Sequence, residues 1–102
     1  MIRPFSSVLG LAIALVSPAG AQVPSTSGRN LAAGCAACHG TNGVSRAGMP
    51  NLAGRDRSEL ARLMQEFRAG KREATVMHQI AKGYTDEQIE AIATYLSAQR
   101  AR

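Results

Sequence analysis

Two segments of the chain carry apolar residues at the spacing of one helical face. In both, apolar side chains recur at intervals of three and four residues, which places them along one side of an α-helix. The first set is Leu60, Leu63, Met64 and Phe67, and the second is Ile89, Ile92, Ala93 and Leu96. This spacing predicts two amphipathic helices whose apolar faces meet in a core.

The ends of these two helices have local signals. Thr85 followed three residues later by Gln88 is a capping box, which predicts that the last helix begins here. The earlier helix is predicted to run from Ser58, as its cap or first-turn residue, to about Ala69. Gly70 then ends it.

A third helix is predicted over residues 28–38, with Ser27 as its cap. Gly28 has no side chain, so another helix can cross closely at this point, and Tyr95 of the last helix is the candidate. The chain shows no strand-rich pattern between these segments. The sequence therefore predicts a small all-α fold.

The N-terminus has the pattern of a secretory signal peptide over residues 1–21. Arg3 supplies the positive charge, an apolar run covers residues 8–16, and small residues precede a cleavage site before Gln22. The alternative is an uncleaved membrane anchor, but the run is shorter than the roughly 20 residues that a spanning helix needs. We therefore expect export to the periplasm, with no membrane span in the mature chain.

What remains after cleavage is one small domain, predicted over residues 28–102 after a flexible lead-in over 22–27. A domain of this size usually needs an additional covalent or metal staple. The full chain of 102 residues carries a net charge of +5. Its basic residues are scattered and the protein is expected in the periplasm, and both points argue against binding to nucleic acid. The positive charge is better explained by an acidic protein partner or by a solvated surface.

The chemistry centres on Cys35-Ala36-Ala37-Cys38-His39. This C-x-x-C-H pattern is the attachment motif of a c-type haem. The two thiols add to the vinyl groups of one haem, and the imidazole of the following histidine ligates the iron. We expect one covalent haem, which would also serve as the centre of the core.

Three other uses of two nearby cysteines fit less well. A thioredoxin-like redox pair needs a βαβ context, which the chain does not show. A zinc site needs further ligands, and His78 is the only other histidine, with no third cysteine. A structural disulfide usually closes a longer loop and leaves the histidine unexplained.

A long Gly-rich loop follows the motif and reaches Gly54. Within it, the carbonyl of Pro50 is a candidate acceptor for the second ring N–H of His39, a bond that would fix the orientation of the ligand. The alternative for Pro50 is an ordinary turn residue, and the sequence leaves the two open.

The second axial ligand has four candidates, which are Met49, Met64, Met77 and His78. Met77 lies far enough along the chain to reach the opposite haem face, and thioether sulfur opposite imidazole is typical of electron carriers. Met64 belongs to an apolar stripe that predicts packing, and His78 points away from its neighbour Met77 on a helix or turn. We favour Met77.

These residues together resemble a class I bacterial cytochrome c over nearly the whole mature chain. The segments that carry the resemblance are the C-x-x-C-H motif, Pro50-Asn51-Leu52-Ala53-Gly54, Met77 and Tyr84-Thr85-Asp86-Glu87-Gln88-Ile89. Residues 74–84 are similar more narrowly to the cytochrome subunits of flavocytochrome c sulfide dehydrogenases. The resemblance implies Met77 as the distal ligand, Pro50 as the partner of His39, and haem contact at Pro50 and Leu52.

The narrower resemblance also implies a partner, a flavoprotein subunit that oxidises sulfide at a bound FAD and passes electrons to this haem. A downstream acceptor such as another cytochrome would then take them. The alternative is a free periplasmic carrier in a respiratory or photosynthetic chain. A gas sensor or peroxidase would need an open distal site, which Met77 argues against. Whether it is a flavocytochrome subunit or a free carrier, the chain alone is expected to catalyse no reaction beyond electron transfer.

Overall fold

The computed structural model describes residues 4, 10–13, 25–46 and 48–101. The predicted signal peptide and its cleavage site before Gln22 therefore fall almost entirely outside the described residues. Five α-helices follow in chain order: α1 Ser25–Ala32, α2 Ala36–His39, α3 Arg57–Arg68, α4 Met77–Ala81 and α5 Asp86–Ser97. Short 3-10 turns cover Ala33–Cys35 and Thr41–Gly43. The described residues contain no strand, in agreement with the predicted all-α fold.

The first helix differs from the prediction at both ends. It already includes Ser25, so Ser27 is an internal residue and not the cap, and residues 25–27 are helical where a flexible lead-in was expected. Tertiary packing explains the difference, because Gly28 is buried against α5 and stabilises the turn around it. Beyond Ala32 the helix tightens into a 3-10 turn around Gly34, a residue of low helix propensity, before α2.

The close crossing at Gly28 is present. A Cβ atom built there would lie 2.5 Å from the carbonyl oxygen of Ala91 and 3.3 Å from the Cβ of Tyr95, both on α5. Any side chain at this position would force the two helices apart. The prediction of a crossing between Gly28 and Tyr95 is therefore confirmed.

The caps of α3 and α5 have clear side-chain partners. The carboxylate of Asp56 caps α3 by accepting a hydrogen bond from the backbone N–H of Glu59 at 3.0 Å, so Ser58 is a first-turn residue. In α5 the capping box of Thr85 and Gln88 is complete in both directions, as predicted.

The core lies where α1, α3 and α5 meet. The predicted apolar face of α5 is buried along its whole length, and it packs on one turn of α3 and on the end of α1. The buried residues are Ala32, Leu60, Ala61, Ile89, Ile92, Ala93 and Leu96. Small alanines on α1 and α3 let the helices approach closely, and another face of α3 lines a cavity. None of the helices described is long and apolar enough to cross a membrane.

Candidate haem site

A cavity of about 550 Å³ opens beside this core, between α2, α3 and α4. It collects the residues that were favoured from the sequence for the site, although these residues come from three separate parts of the chain. They are Cys35, Cys38, His39, Pro50, Leu52 and Met77. The apolar face of α3 closes one side of the cavity, so the stripe of Leu63, Met64 and Phe67 faces the site as expected.

The two cysteines face the cavity from adjacent turns. Cys35 ends the 3-10 turn and Cys38 lies in α2, three residues further along, and both thiols are free. Burial raises the pKa of the Cys35 thiol above its usual value. A redox pair of the thioredoxin type depends on a lowered thiol pKa, so this environment argues against that chemistry.

His39 ends α2 and is buried, with 8% of its surface exposed. Its Nδ1 atom donates a hydrogen bond to the carbonyl oxygen of Pro50 at 2.8 Å. Because a carbonyl only accepts, the proton must sit on Nδ1 and the ring lone pair on Nε2. The imidazole is thus held in the tautomer that leaves Nε2 free to ligate a metal.

The loop that presents Pro50 is braced by hydrogen bonds on both sides. The carbonyl of Gly43 accepts from the backbone N–H groups of Leu52 at 2.9 Å and Ala53 at 3.1 Å. The side chain of Asn51 accepts from the backbone of Ser45 at 3.2 Å and donates to the carbonyl of Ala53 at 3.1 Å. These bonds hold the two limbs of the loop together around the Pro50 carbonyl.

Two residues that shape this loop were not predicted from the sequence: Asn51, and Gly40 at the start of the loop. Gly40 has φ +86°, and a Cβ atom there would lie 1.9 Å from the carbonyl oxygen of Val44, so only glycine fits. An Asn within a Gly-rich loop is a general turn signal, but nothing in the sequence indicates which backbone groups it joins.

Three methionines line the cavity and they differ in their surroundings. Met64 packs against the buried core from α3, and Met49 is 38% exposed in the loop before Pro50. Met77 is the first residue of α4 and is half-buried on the wall that α4 contributes. His78 does not line this cavity; it faces a separate surface groove together with Arg72 and Lys82.

The shape and the donors of the cavity fit a haem. Its volume lies within the range of about 300–1,000 Å³ that is usual for bound organic groups. It offers two thiols for covalent attachment, one imidazole nitrogen and a thioether sulfur. A zinc site does not fit, because the described residues contain no cluster of three or more Cys, His, Asp or Glu side chains. When bound, haem supplies an iron that cycles between two oxidation states and so carries one electron.

Comparison with known proteins agrees with this chemistry. The family model described as "Cytochrome C oxidase, cbb3-type, subunit III" matches residues 24–96. The cytochrome subunit of sulfide dehydrogenase from Chlorobaculum tepidum is 40% identical over 78 residues, which are 76% of this chain and 71% of the relative. A thiosulfate dehydrogenase electron acceptor from Stutzerimonas stutzeri is 35% identical over 100 residues.

The relatives differ in how much of their length the chain covers. The match to the Stutzerimonas protein covers 93% of this chain but only 46% of that protein. Cytochrome c-554(548) from Halomonas halodenitrificans is 41% identical over 69 residues, 64% of this chain and 83% of that protein. With a family match across most of its length and a cavity built for covalent haem, the chain belongs to the class I c-type cytochromes, which carry haem c and transfer electrons.

Proposed function

We propose that this chain is the electron-accepting cytochrome subunit of a sulfide-oxidising flavocytochrome. The similarity to the Chlorobaculum tepidum cytochrome subunit supports the choice of partner, since 71% of that protein is matched. The observation that carries the proposal is the distribution of exposed apolar side chains. Within residues 25–46 and 48–101, every exposed large hydrophobic side chain lies at the mouth of the haem cavity: Met49, Val76 and Ile80.

The roles proposed for the site residues are supported by their number and their positions. Cys35 and Cys38 attach a single haem through two thioether bonds, since the chain has only these two cysteines. His39 presents Nε2 to the iron, and its bond to Pro50 keeps the imidazole from rotating. Leu52 contributes an apolar wall on the same side.

Met77 is the best distal ligand among the three methionines on the cavity wall. Met64 is already used in packing against the core, and Met49 belongs to the loop that presents Pro50 to His39. Met77 comes instead from α4, which approaches the cavity from another part of the chain. A thioether at this position stabilises the reduced iron and raises the reduction potential.

The exposed apolar mouth is the proposed docking face for the flavoprotein. Permanent interfaces are more apolar than transient ones, which dock more often through charges. Tyr84, which also lines the cavity, extends the apolar area next to Ile80. Electrons from sulfide would reach the haem here from an FAD on the partner, and a downstream acceptor such as another cytochrome would then remove them.

We place the mature protein in the periplasm, beginning at or near Gln22 and carrying one covalent haem. The small-residue site before Gln22 and the single C-x-x-C-H motif support this placement. Intact-mass measurement of periplasmic material tests it. A mass that lacks one haem, or that retains residues 1–21, would rule it out.

The partner proposal is tested by mixing the haem-loaded cytochrome with its candidate flavoprotein and running size exclusion at low and high salt. We expect co-elution at both salt concentrations and its loss in Ile80→Asp. Gln79→Asp is the matched control, because it adds the same charge to an exposed residue of the same helix that does not line the cavity.

A free electron carrier is the second candidate. It is favoured by the match to cytochrome c-554(548), of which the chain covers 83%. A carrier of this kind would form a weak complex that dissociates as salt rises and that responds little to Ile80→Asp. That result would replace the subunit assignment while leaving the haem site unchanged.

A further inference from the structure

Residues 69–85 form one continuous excursion from the helical core, here called the Met77 loop. The loop leaves the end of α3 just after Arg68 and returns at Asp86, the first residue of α5. It contains α4, with Met77 at its beginning. Its two ends must therefore stay close together for Met77 to keep its place on the cavity wall.

The side chain of Arg68 spans the base of this loop. Its Nη1 atom donates a hydrogen bond to the carbonyl oxygen of Tyr84 at 3.2 Å, and its Nη2 atom forms an ion pair with the carboxylate of Asp86. The arginine precedes the loop, while the two acceptors lie at and just beyond its end. One side chain therefore joins both ends.

Few other polar contacts attach the loop to the core. Its first turn is bonded to the end of α3, where the N–H of Lys71 donates to the carbonyl of Glu66 at 2.9 Å. From there to Tyr84, the backbone hydrogen bonds of the described chain stay within the loop, such as Tyr84 N–H to Ala81 carbonyl at 3.2 Å. The guanidinium of Arg72 bonds Glu66 near the start of the loop. At the far end, Thr85 is joined to α5 by its capping box with Gln88, and Ala81 and Tyr84 pack on the core. Among the described residues, the bond from Arg68 to Tyr84 is the one side-chain hydrogen bond from α3 to this end.

We propose that Arg68 is a positioning residue for Met77. By closing the base of the loop it reduces the conformations open to the loop and keeps the Met77 sulfur at the cavity wall. This inference rests on the proposed role of Met77 as a ligand. Local opening of the loop is the motion that Arg68 suppresses, because such motions start where few bonds join a segment to the core.

The geometry requires a guanidinium in particular. The two acceptors are a backbone carbonyl and a carboxylate, and the planar fork of arginine offers separate N–H groups to each. Lysine is a point charge, so Arg68→Lys keeps the attraction to Asp86 and gives up part of the hydrogen bonding. It should restore loop closure only in part.

The test uses the haem-loaded protein and two readouts. Backbone hydrogen exchange of residues 79–84 reports opening of the loop, and the sulfur–iron charge-transfer band of the oxidised form reports Met77 ligation. In Arg68→Met we expect exchange in the loop to rise about tenfold and the band to disappear at a lower temperature, with α1 and α5 amides unchanged. Arg68→Lys should fall between this variant and the wild type.

Arg57→Met is the matched control, because it removes the same charge from the exposed first residue of α3. Two results would overturn the positioning role. One is that Arg68→Met and Arg57→Met give the same loop exchange and the same charge-transfer band. The other is that Arg68→Met accelerates exchange in α1 and α5 as much as in the loop. A wild-type protein without the band would instead refute Met77 as the ligand, and the positioning role with it. A band that is present but unaffected by Arg68→Met refutes only the role of Arg68.

Discussion

The two walls of the haem cavity are held in different ways. On one side His39 is buried, and the loop that meets it is fixed by backbone hydrogen bonds that Leu52 and Ala53 donate to the carbonyl of Gly43. On the other side Met77 is half-buried at the start of a five-residue helix. Val76, just before this helix, is 51% exposed, and Ile80 within it is 43% exposed. The first wall, here called the braced wall, is held by more hydrogen bonds. The second, here called the open wall, carries two of the three exposed apolar side chains at the mouth of the cavity.

This contrast separates two requirements of an electron carrier. Attachment of the cofactor needs residues at fixed positions in one short segment, which the 3-10 turn that ends at Cys35 and the adjoining α2 provide. Contact with a partner needs an exposed apolar surface next to the cofactor, which a compact core would bury. The Met77 loop provides that surface, and its hydrogen bonding is correspondingly sparse.

The largest effect is expected from removing the covalent attachment on the braced wall. The double variant Cys35→Ser, Cys38→Ser should contain no haem that survives denaturation, because both thioether bonds are lost. Haem staining after denaturing electrophoresis measures this directly. Met77→Ala is the control and should keep its covalent haem; haem that remains bound in the double variant would refute the attachment site.

Next in size is the loss of the distal ligand on the open wall. Met77→Ala should abolish the sulfur–iron charge-transfer band of the oxidised protein and lower the reduction potential, because the thioether favours reduced iron. Met49→Ala and the volume-conserving Met64→Leu should retain the band. If either of these loses the band while Met77→Ala keeps it, the ligand assignment is wrong.

A smaller effect is expected from removing the side chain of Asn51, whose hydrogen bonds brace the loop that meets His39. Asn51→Ala removes the bonds to Ser45 and Ala53 and should lower the free energy of unfolding by about 1–3 kcal/mol, since two partly buried hydrogen bonds of about 0.5–1.5 kcal/mol each are lost. Chemical denaturation of the haem-loaded protein measures it. Asn30→Ala, on the exposed surface of α1, should change little. Equal effects in the two variants would mean that the brace does not stabilise this wall.

The smallest effect concerns Glu66 beside the Met77 loop. Hydrogen bonds from Arg62 and then Arg72 lower the pKa of its carboxyl group. A lowered pKa in the folded state stabilises the protein above the unfolded value of about 4.3, and this stability is lost as pH falls through the folded value. Glu66→Gln should thus be slightly less stable than wild type at pH 7 and equal to it in acid, as melting temperatures across pH can show. A difference that persists in acid would contradict this account.

Local patterns in the sequence predicted the parts of the molecule that local chemistry determines. The capping box at Thr85, the buried face of α5 and the crossing at Gly28 are present. The hydrogen bond between His39 and Pro50 exists as well, where the sequence had left Pro50 open between this role and an ordinary turn.

The features that were missed depend on contacts between distant residues or on a choice between similar signals. Arg68 reaches Tyr84 and Asp86, which are 16 and 18 positions further along, and no periodicity indicates such a pair. Asp56 and Ser58 are both good caps, and only the backbone geometry selects Asp56. Residues 25–27 are helical despite the cap signal of Ser27, in a helix that packs closely on α5 at Gly28.

The most direct test of the account is a proton NMR spectrum of the reduced, haem-loaded protein. A methionine bound to the iron holds its methyl group over the porphyrin ring, whose ring current shifts that resonance strongly upfield. We expect one such methyl resonance and its assignment to Met77 by sequence-specific connectivity. Assignment of that resonance to Met49 or Met64, or its absence, would contradict the central claim that His39 and Met77 hold a single haem between the two walls.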